Sequence, residues 1–232
     1  MAPAAAKATS TRSFGPELFR FLVDLKANND RDWFNANKDR YEEHVRGPTL
    51  DFVADFAPHL EQISPHFVAD PRPSGGSLFR IHRDTRFSKD KSPYKPYVGV
   101  QFRHERAKDT HTPGFYLHLQ PRAVFVGVGI WHPDTPTLSR IREAILDDPK
   151  AWGRATGNRS LRLAGDSLKR APAGFDPEHP LIADLRRKDY IATVELTQKE
   201  VCSRGFVERF AGTCEEGAPL VRFLCGALDL AY

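Results

Sequence analysis

The chain has 232 residues, 40% hydrophobic and 28% charged, with a formal net charge of +4, an ordinary globular composition with ample length for a buried core. No run of 18 apolar residues occurs, which excludes a membrane-spanning helix, and the opening MAPAAAKATSTR lacks the apolar stretch of a secretory signal. Three widely spaced cysteines, Cys202, Cys214 and Cys225, with no C-x-x-C, exclude a disulfide framework and a cysteine zinc site and lead us to expect a reducing, cytoplasmic location.

Residues 1–12 are small and polar and read as a disordered tail before a single domain over 13–232. Gly15-Pro16 opens a first helix, with Leu18, Phe19, Leu22 and Leu25 on one face. Asn28-Asn29-Asp30 stops it and caps a second, which places Trp33, Phe34, Asn37, Tyr41 and Val45 on one side. Gly47-Pro48 ends that helix and starts a third, whose pattern of Leu50, Val53, Phe56 and Leu60 is interrupted by Pro58, where a kink or an early end is expected.

The period changes after the Pro/Gly/Ser stretch 69–77. Leu78–Asp84, Tyr97–His104, Gly114–Gln120 and Ala123–Trp131 read as strands, the last two joined by a tight turn at Pro121-Arg122. The connectors are too short for helical crossovers, so the sheet is expected to be antiparallel. Asp134 or Thr137 is the candidate cap of a helix ending near Asp147, and a short piece around Trp152 follows. Tyr190–Leu196 alternates like a further strand, and 198–230 reads as helical with a break near Pro219. The expectation is an α+β fold: a mainly antiparallel sheet of about five strands flanked by N-terminal and C-terminal helices.

Charge is concentrated in one place. Residues 80–95 hold Arg80, Arg83, Arg86, Lys89, Lys91 and Lys95 against Asp84 and Asp90, an excess equal to that of the whole chain. Alternation in the first half puts Phe79, Ile81 and Arg83 on a core side and Arg80, His82 and Asp84 on an open face. The second half, too polar for a buried strand, reads as a loop carrying Arg86, Lys89 and Lys91. Guanidinium forks and mobile ammonium groups suit a phosphate or carboxylate, with Asp84 and Asp90 orienting the arginines or one of them serving as a base. The same residues also fit an internal lattice of salt bridges, because charge runs are commonly solvated faces.

In Gly114–Gln120 the apolar Phe115, Leu117 and Leu119 alternate with Tyr116, His118 and Gln120. Phe125, Gly127, Gly129 and Trp131 share a face of the next strand, where glycine leaves room for a ligand. Arg80, His82, Asp84, Tyr116 and His118 are therefore expected to line one cleft, with His118 as general acid or base beside Tyr116. A hydrogen-bonded histidine without a chemical role is the competing reading of His118. His82, Asp84 and His118 could together ligate a metal, but the surrounding cations argue against a bound cation, so no metal is expected. No phosphate-binding glycine loop, dinucleotide fingerprint or nucleophile elbow is present, and no cofactor is specified.

The run Arg80-x-x-Arg83-Asp84-x-Arg86-Phe87-Ser88-Lys89-Asp90-Lys91-x-Pro93-Tyr94-Lys95 resembles the hallmark of the domain-of-unknown-function family 2461. So do Asn28-Asn29-x-Arg31-x-Trp33-Phe34, Pro113-Gly114-x-Tyr116-x-His118, Gly127-x-Gly129-x-Trp131-x-Pro133 and Lys169-Arg170-x-Pro172-x-Gly174-Phe175. The resemblance runs from about Phe14 to the C-terminus. It implies a single-domain cytoplasmic protein and supplies no catalytic residues.

Three functions remain open on the residues alone. The first is a cleft for a small phosphate-bearing anion held by Arg80, His82, Arg83, Arg86, Lys89, Lys91 and Lys95, with hydrolase or transferase chemistry at His118, Tyr116 and Asp84. The second is a nucleic-acid binding module, since Phe87, Tyr94 and Tyr97 interleave with the cations. The third is a non-enzymatic structural or interaction protein. Asn29 and Arg31 are candidate braces for the basic loop.

Overall fold

Strict alternation in three strands decides which face of the sheet is buried. In the computed structural model, which describes residues 13–107, 111–158 and 160–232, the strands are β1 (Phe67–Val68), β2 (Val98–His104), β3 (Gly114–Gln120), β4 (Ala123–Ile130), β5 (Arg162–Ala164) and β6 (Tyr190–Leu196). They form one antiparallel sheet in the order β1-β2-β3-β4-β6-β5. The expected tail lies outside the described residues. Val98, Val100 and Phe102, then Phe115, Leu117 and Leu119, then Val124, Val126 and Val128 are all buried on one side.

Helices from both ends of the chain cover that side, so the fold is α+β. The N-terminal elements are α1 (Pro16–Ala27), α2 (Arg31–Ala36), α3 (Lys38–Tyr41) and α4 (Gly47–Ile63). After β4 come α5 (Thr135–Asp147), α6 (Pro149–Thr156), α7 (Ile182–Leu185), α8 (Gln198–Val201) and α9 (Phe206–Ala227). Phe56 of α4 packs on Phe102 of β2 at 4.6 Å and on Phe210 of α9 at 4.8 Å. Gly217 lets α9 settle on β4: a Cβ there would stand 2.7 Å from the Val128 side chain. Asp30 caps α2 by accepting from the Trp33 amide, and Asp134 caps α5 through the Thr137 amide.

The sheet has six strands rather than about five, because β1 and β5 are two and three residues long and leave no periodic trace. Leu78–Asp84 is not a regular strand. It makes isolated bridges, Leu78 with Val100 and His82 with Tyr94, within a hairpin over residues 77–101. The Phe79 amide donates to the Gly99 carbonyl, Lys95 to Ile81 and Arg83 to Pro93. Pro93 and Pro96 lie on the returning arm, where the missing N–H groups prevent a continuous ladder.

The prolines in helices behave differently from expectation. Gly47-Pro48 does not break the chain's helical path. A π turn over Glu42–Arg46, in which the Gly47 amide reaches the Glu42 carbonyl, widens the helix just before Pro48. α4 continues through Pro58 and α9 through Pro219. Phe56 and Leu60 flank the first, Gly217 and Leu220 the second, and all four are buried. Packing on both sides outweighs the roughly 3 kcal/mol that an internal proline costs.

Candidate functional site

The face of the sheet opposite α4 and α9 is built from the alternate residues of the same strands. Pairing sets them in rows. Gln101, Tyr116, Gly127, Thr193 and Arg162 form one, Gly99, His118, Phe125 and Glu195 a second, and Arg103, Gly114, Gly129 and Ile191 a third. Gly114, Gly127 and Gly129 leave low ground between tall neighbours. The result is a hollow of about 390 Å³ walled by Phe79, Tyr97, Tyr116, His118, Phe125 and Trp131, with Thr112 and Thr193 among its polar groups. The Thr112 hydroxyl is buried there with no hydrogen-bond partner among the described residues.

Two of these glycines differ in kind. Gly129 has φ +119°, and a Cβ there would overlap the Tyr190 carbonyl oxygen, so the backbone itself requires glycine. At Gly127 a Cβ would meet nothing nearer than 3.8 Å. Nothing about its packing forbids a side chain in the middle of a central strand.

The floor carries a chain of hydrogen bonds. The His118 Nε2 lies 3.2 Å from Gln120 Oε1, and its Nδ1 lies 3.0 Å from the Tyr116 hydroxyl. Gln120 Oε1 only accepts, so His118 carries its proton on Nε2 and takes the Tyr116 O–H at Nδ1. The ring is held between Tyr97 and Phe125, each centred 4.8 Å away. Burial lowers the His118 pKa, against a smaller upward effect of Gln120, and keeps the imidazole neutral. Burial also raises the Tyr116 pKa strongly, so its phenol stays protonated and donating. Both ring nitrogens of His118 are thereby engaged, and it reaches a ligand only through Tyr116.

The basic segment lies beside this hollow rather than over it. Phe79, assigned by alternation to the helical core, packs instead against Tyr116 at 5.9 Å on the hollow side, and a Cβ at Gly99 would strike both rings. Ile81 packs against the core as expected, but Phe79 turns to the hollow, while Arg80, His82 and Asp84 are exposed and do not line it. His82 rests on Tyr94 with ring centres 5.2 Å apart, outside the hollow that His118 lines. Among the described residues no three His, Cys, Asp or Glu side chains gather around a metal position.

Of the seven expected ligand-binding residues, Arg83 and Lys95 come nearest. Arg83 lies close enough to Tyr97 to lower its pKa against the larger upward effect of burial. Lys95 Nζ stands 5.6 Å from the centre of the Phe79 ring and donates to the Arg80 carbonyl. Burial, then the neighbouring Arg80, lowers its pKa. The others extend outward. Arg86 forks onto Asp84, with contacts of 2.6 and 3.0 Å, Arg83 pairs with Asp90, and Lys91 donates to the Thr85 carbonyl. Arg86 holds the Asp84 carboxyl well below the usual range, while Ser92 and then Arg83 do the same for Asp90. Asp84 is thus an ion-pair partner on the hairpin, away from Tyr116 and His118.

Several residues of this face escaped the sequence reading. Gln101 and Arg103 follow from the alternation of β2 and could have been found. Arg162, exposed at the end of the Tyr116 row, sits on a three-residue strand with no periodic signal.

The chain matches the family model described as conserved hypothetical protein (DUF2461) over residues 17–223. It belongs to that family. No curated protein matches it. The matched span of this DUF2461 member includes the hairpin, every strand and the whole hollow. Among the described residues no helix is long and apolar enough to cross a membrane.

Proposed function

We propose that the hollow binds a small molecule with a flat, largely apolar body and an anionic group, phosphate or carboxylate, directed toward Arg83 and Lys95. The observation that carries this reading is Gly127. Glycine inside a strand costs stability, and here neither φ nor contact demands it, so what it provides is the open space above it. The volume lies in the range of small-molecule sites, roughly 300–1,000 Å³. Aromatic walls suit a planar body, and Thr112, Thr193 and Tyr116 supply orienting hydrogen bonds. Hydrolytic or group-transfer chemistry on that anion would use Tyr116 as the contacting base: its oxygen takes the proton of the attacking water or hydroxyl as its own proton passes to His118 Nδ1, and the same relay run backwards returns a proton to the leaving group. Three free thiols, two of them buried, suit a cytoplasmic setting.

The test is a thermal-shift screen of nucleotides, sugar phosphates and aromatic carboxylates on the intact protein and on Gly127→Val. Binding raises the melting temperature by mass action. A class that stabilises the intact protein but not the variant supports the site. Equal stabilisation of both, or of neither by any class, overturns it.

A further inference from the structure

The hairpin has more cation and more aromatic surface than a small ligand in the hollow can use. Phe87 at its tip is 96% exposed, the Arg86 guanidinium stands 5.8 Å from its ring centre, and Lys89 and Lys91 follow within four residues. Asp84 and Asp90 are already taken up by Arg86 and Arg83, so the exposed Lys89 and Lys91 keep their charge, Lys91 donating only to the neutral Thr85 carbonyl. Arg83 marks the end nearer the hollow, and from Phe79 to Arg83 the extended chain covers about 13 Å at roughly 3.3 Å per residue. Cations and one bare ring therefore form a track leading outward from the hollow wall.

We infer that this protein takes a single-stranded nucleic acid, with one base in the hollow, the phosphates following the hairpin cations, and a second base stacked on Phe87 and Arg86. The inference rests on the pocket reading above and names its ligand class. Charge complementarity favours a polyanion. Aromatic and guanidinium planes stack bases of any sequence. The hollow supplies what an unstacked base requires: ring faces at Tyr97, Phe125 and Trp131, and edge-reading groups at Thr112, Thr193 and Tyr116. An anionic membrane is the weaker fit, because Phe87 is the only apolar side chain between Arg83 and Ser92, and stable interfacial anchoring needs a wider apolar face.

The experiment measures anisotropy of a short labelled single-stranded oligonucleotide of mixed sequence. It uses the intact protein, Phe87→Ala and Gly127→Val, at low and moderate salt. Thermal shift with nucleoside monophosphates and sedimentation with phosphatidylserine vesicles run in parallel. The strand should bind more tightly than any monophosphate and weaken steeply with salt. Phe87→Ala should reduce strand binding about 5- to 150-fold, the range for one lost base–aromatic stack, and leave the monophosphate shift unchanged. Gly127→Val should weaken both. Monophosphate binding that depends on Gly127 with no gain for the strand overturns this inference and leaves the pocket reading standing. Strand binding that depends on Phe87 but not on Gly127 removes the hollow from the complex and overturns this inference, and the pocket reading falls as well if no monophosphate shift depends on Gly127. Phe87-dependent binding to vesicles with none to the strand also overturns the inference.

Discussion

Asn29 pairs with the backbone of Tyr94 as a strand would: its Nδ2 donates to the Tyr94 carbonyl and its Oδ1 accepts from the Tyr94 amide, each at 3.0 Å. Phe34 stacks on the Tyr94 ring at 4.1 Å. Two residues of the N-terminal motif thus fix the root of the basic hairpin 65 positions away. Asn29→Ala leaves both backbone groups without their partner, and we expect a loss of about 1–3 kcal/mol in urea denaturation. Faster tryptic cleavage at Lys89 and Lys91 should accompany it. Unchanged cleavage would mean that the hairpin is held elsewhere.

The two glycines of β4 should respond oppositely to alanine. Gly127→Ala is expected to raise stability by roughly 0.5–1 kcal/mol, the ordinary difference within an element. Gly129→Ala, forced to a positive φ against the Tyr190 carbonyl, is expected to lose about 1–3 kcal/mol. Denaturant midpoints for the pair decide this directly.

His118 gives stability a pH dependence of known sign. Its folded pKa is depressed, so above the ordinary value of about 6.5 both folded and unfolded forms are neutral and its contribution is complete. As pH falls below that value the unfolded chain binds the proton first, and stability declines until the folded pKa is reached. His118→Gln should flatten the melting temperature between pH 7 and pH 5. A slope that survives the substitution would assign the effect to another group.

Asp84 and Asp90 act lower on the scale. Their folded pKa values are depressed, so whatever they contribute is present above the unfolded value and disappears as pH drops through the folded one. The ion pairs of the hairpin should therefore hold unchanged from pH 8 to pH 5 and loosen only in strong acid, as followed by protease susceptibility or carboxylate chemical shifts.

Lys89→Ala with Lys91→Ala should move the denaturation midpoint little, within about 0.5 kcal/mol, because Asp84 and Asp90 keep Arg86, Arg83 and Ser92 as partners. A larger loss would show that the lysines belong to a structural lattice, against both ligand readings.

Alternation made much of this face legible before any coordinates. Phe115, Leu117 and Leu119 declare the core side of β3, and Tyr116, His118 and Gln120 must then share the other. Failure came where a period of two was read without its partner strand. Ile81 does pack against the core, but Phe79 lines the hollow, as apolar side chains also can, and Pro93 and Pro96 detach their segment from regular pairing. Pro58 and Pro219 misled for a related reason: local propensity speaks for one missing hydrogen bond, while the packing of Phe56, Leu60 and Leu220 is decided by distant chain. Arg162 gave no signal because a three-residue strand has no period to read.

The placement of α9 bears on how the protein is made. β4 has one neighbour, β3, from its own hairpin, but its other edge waits for β6 and its apolar underside waits for α9, where Gly217 meets Val128. A ribosome that has released only β2 to β4 presents Val124, Val126 and Val128 uncovered beside an open strand edge, the combination that invites aggregation. Completion of the core thus waits for α9, and chains cut before Phe206 are expected to aggregate.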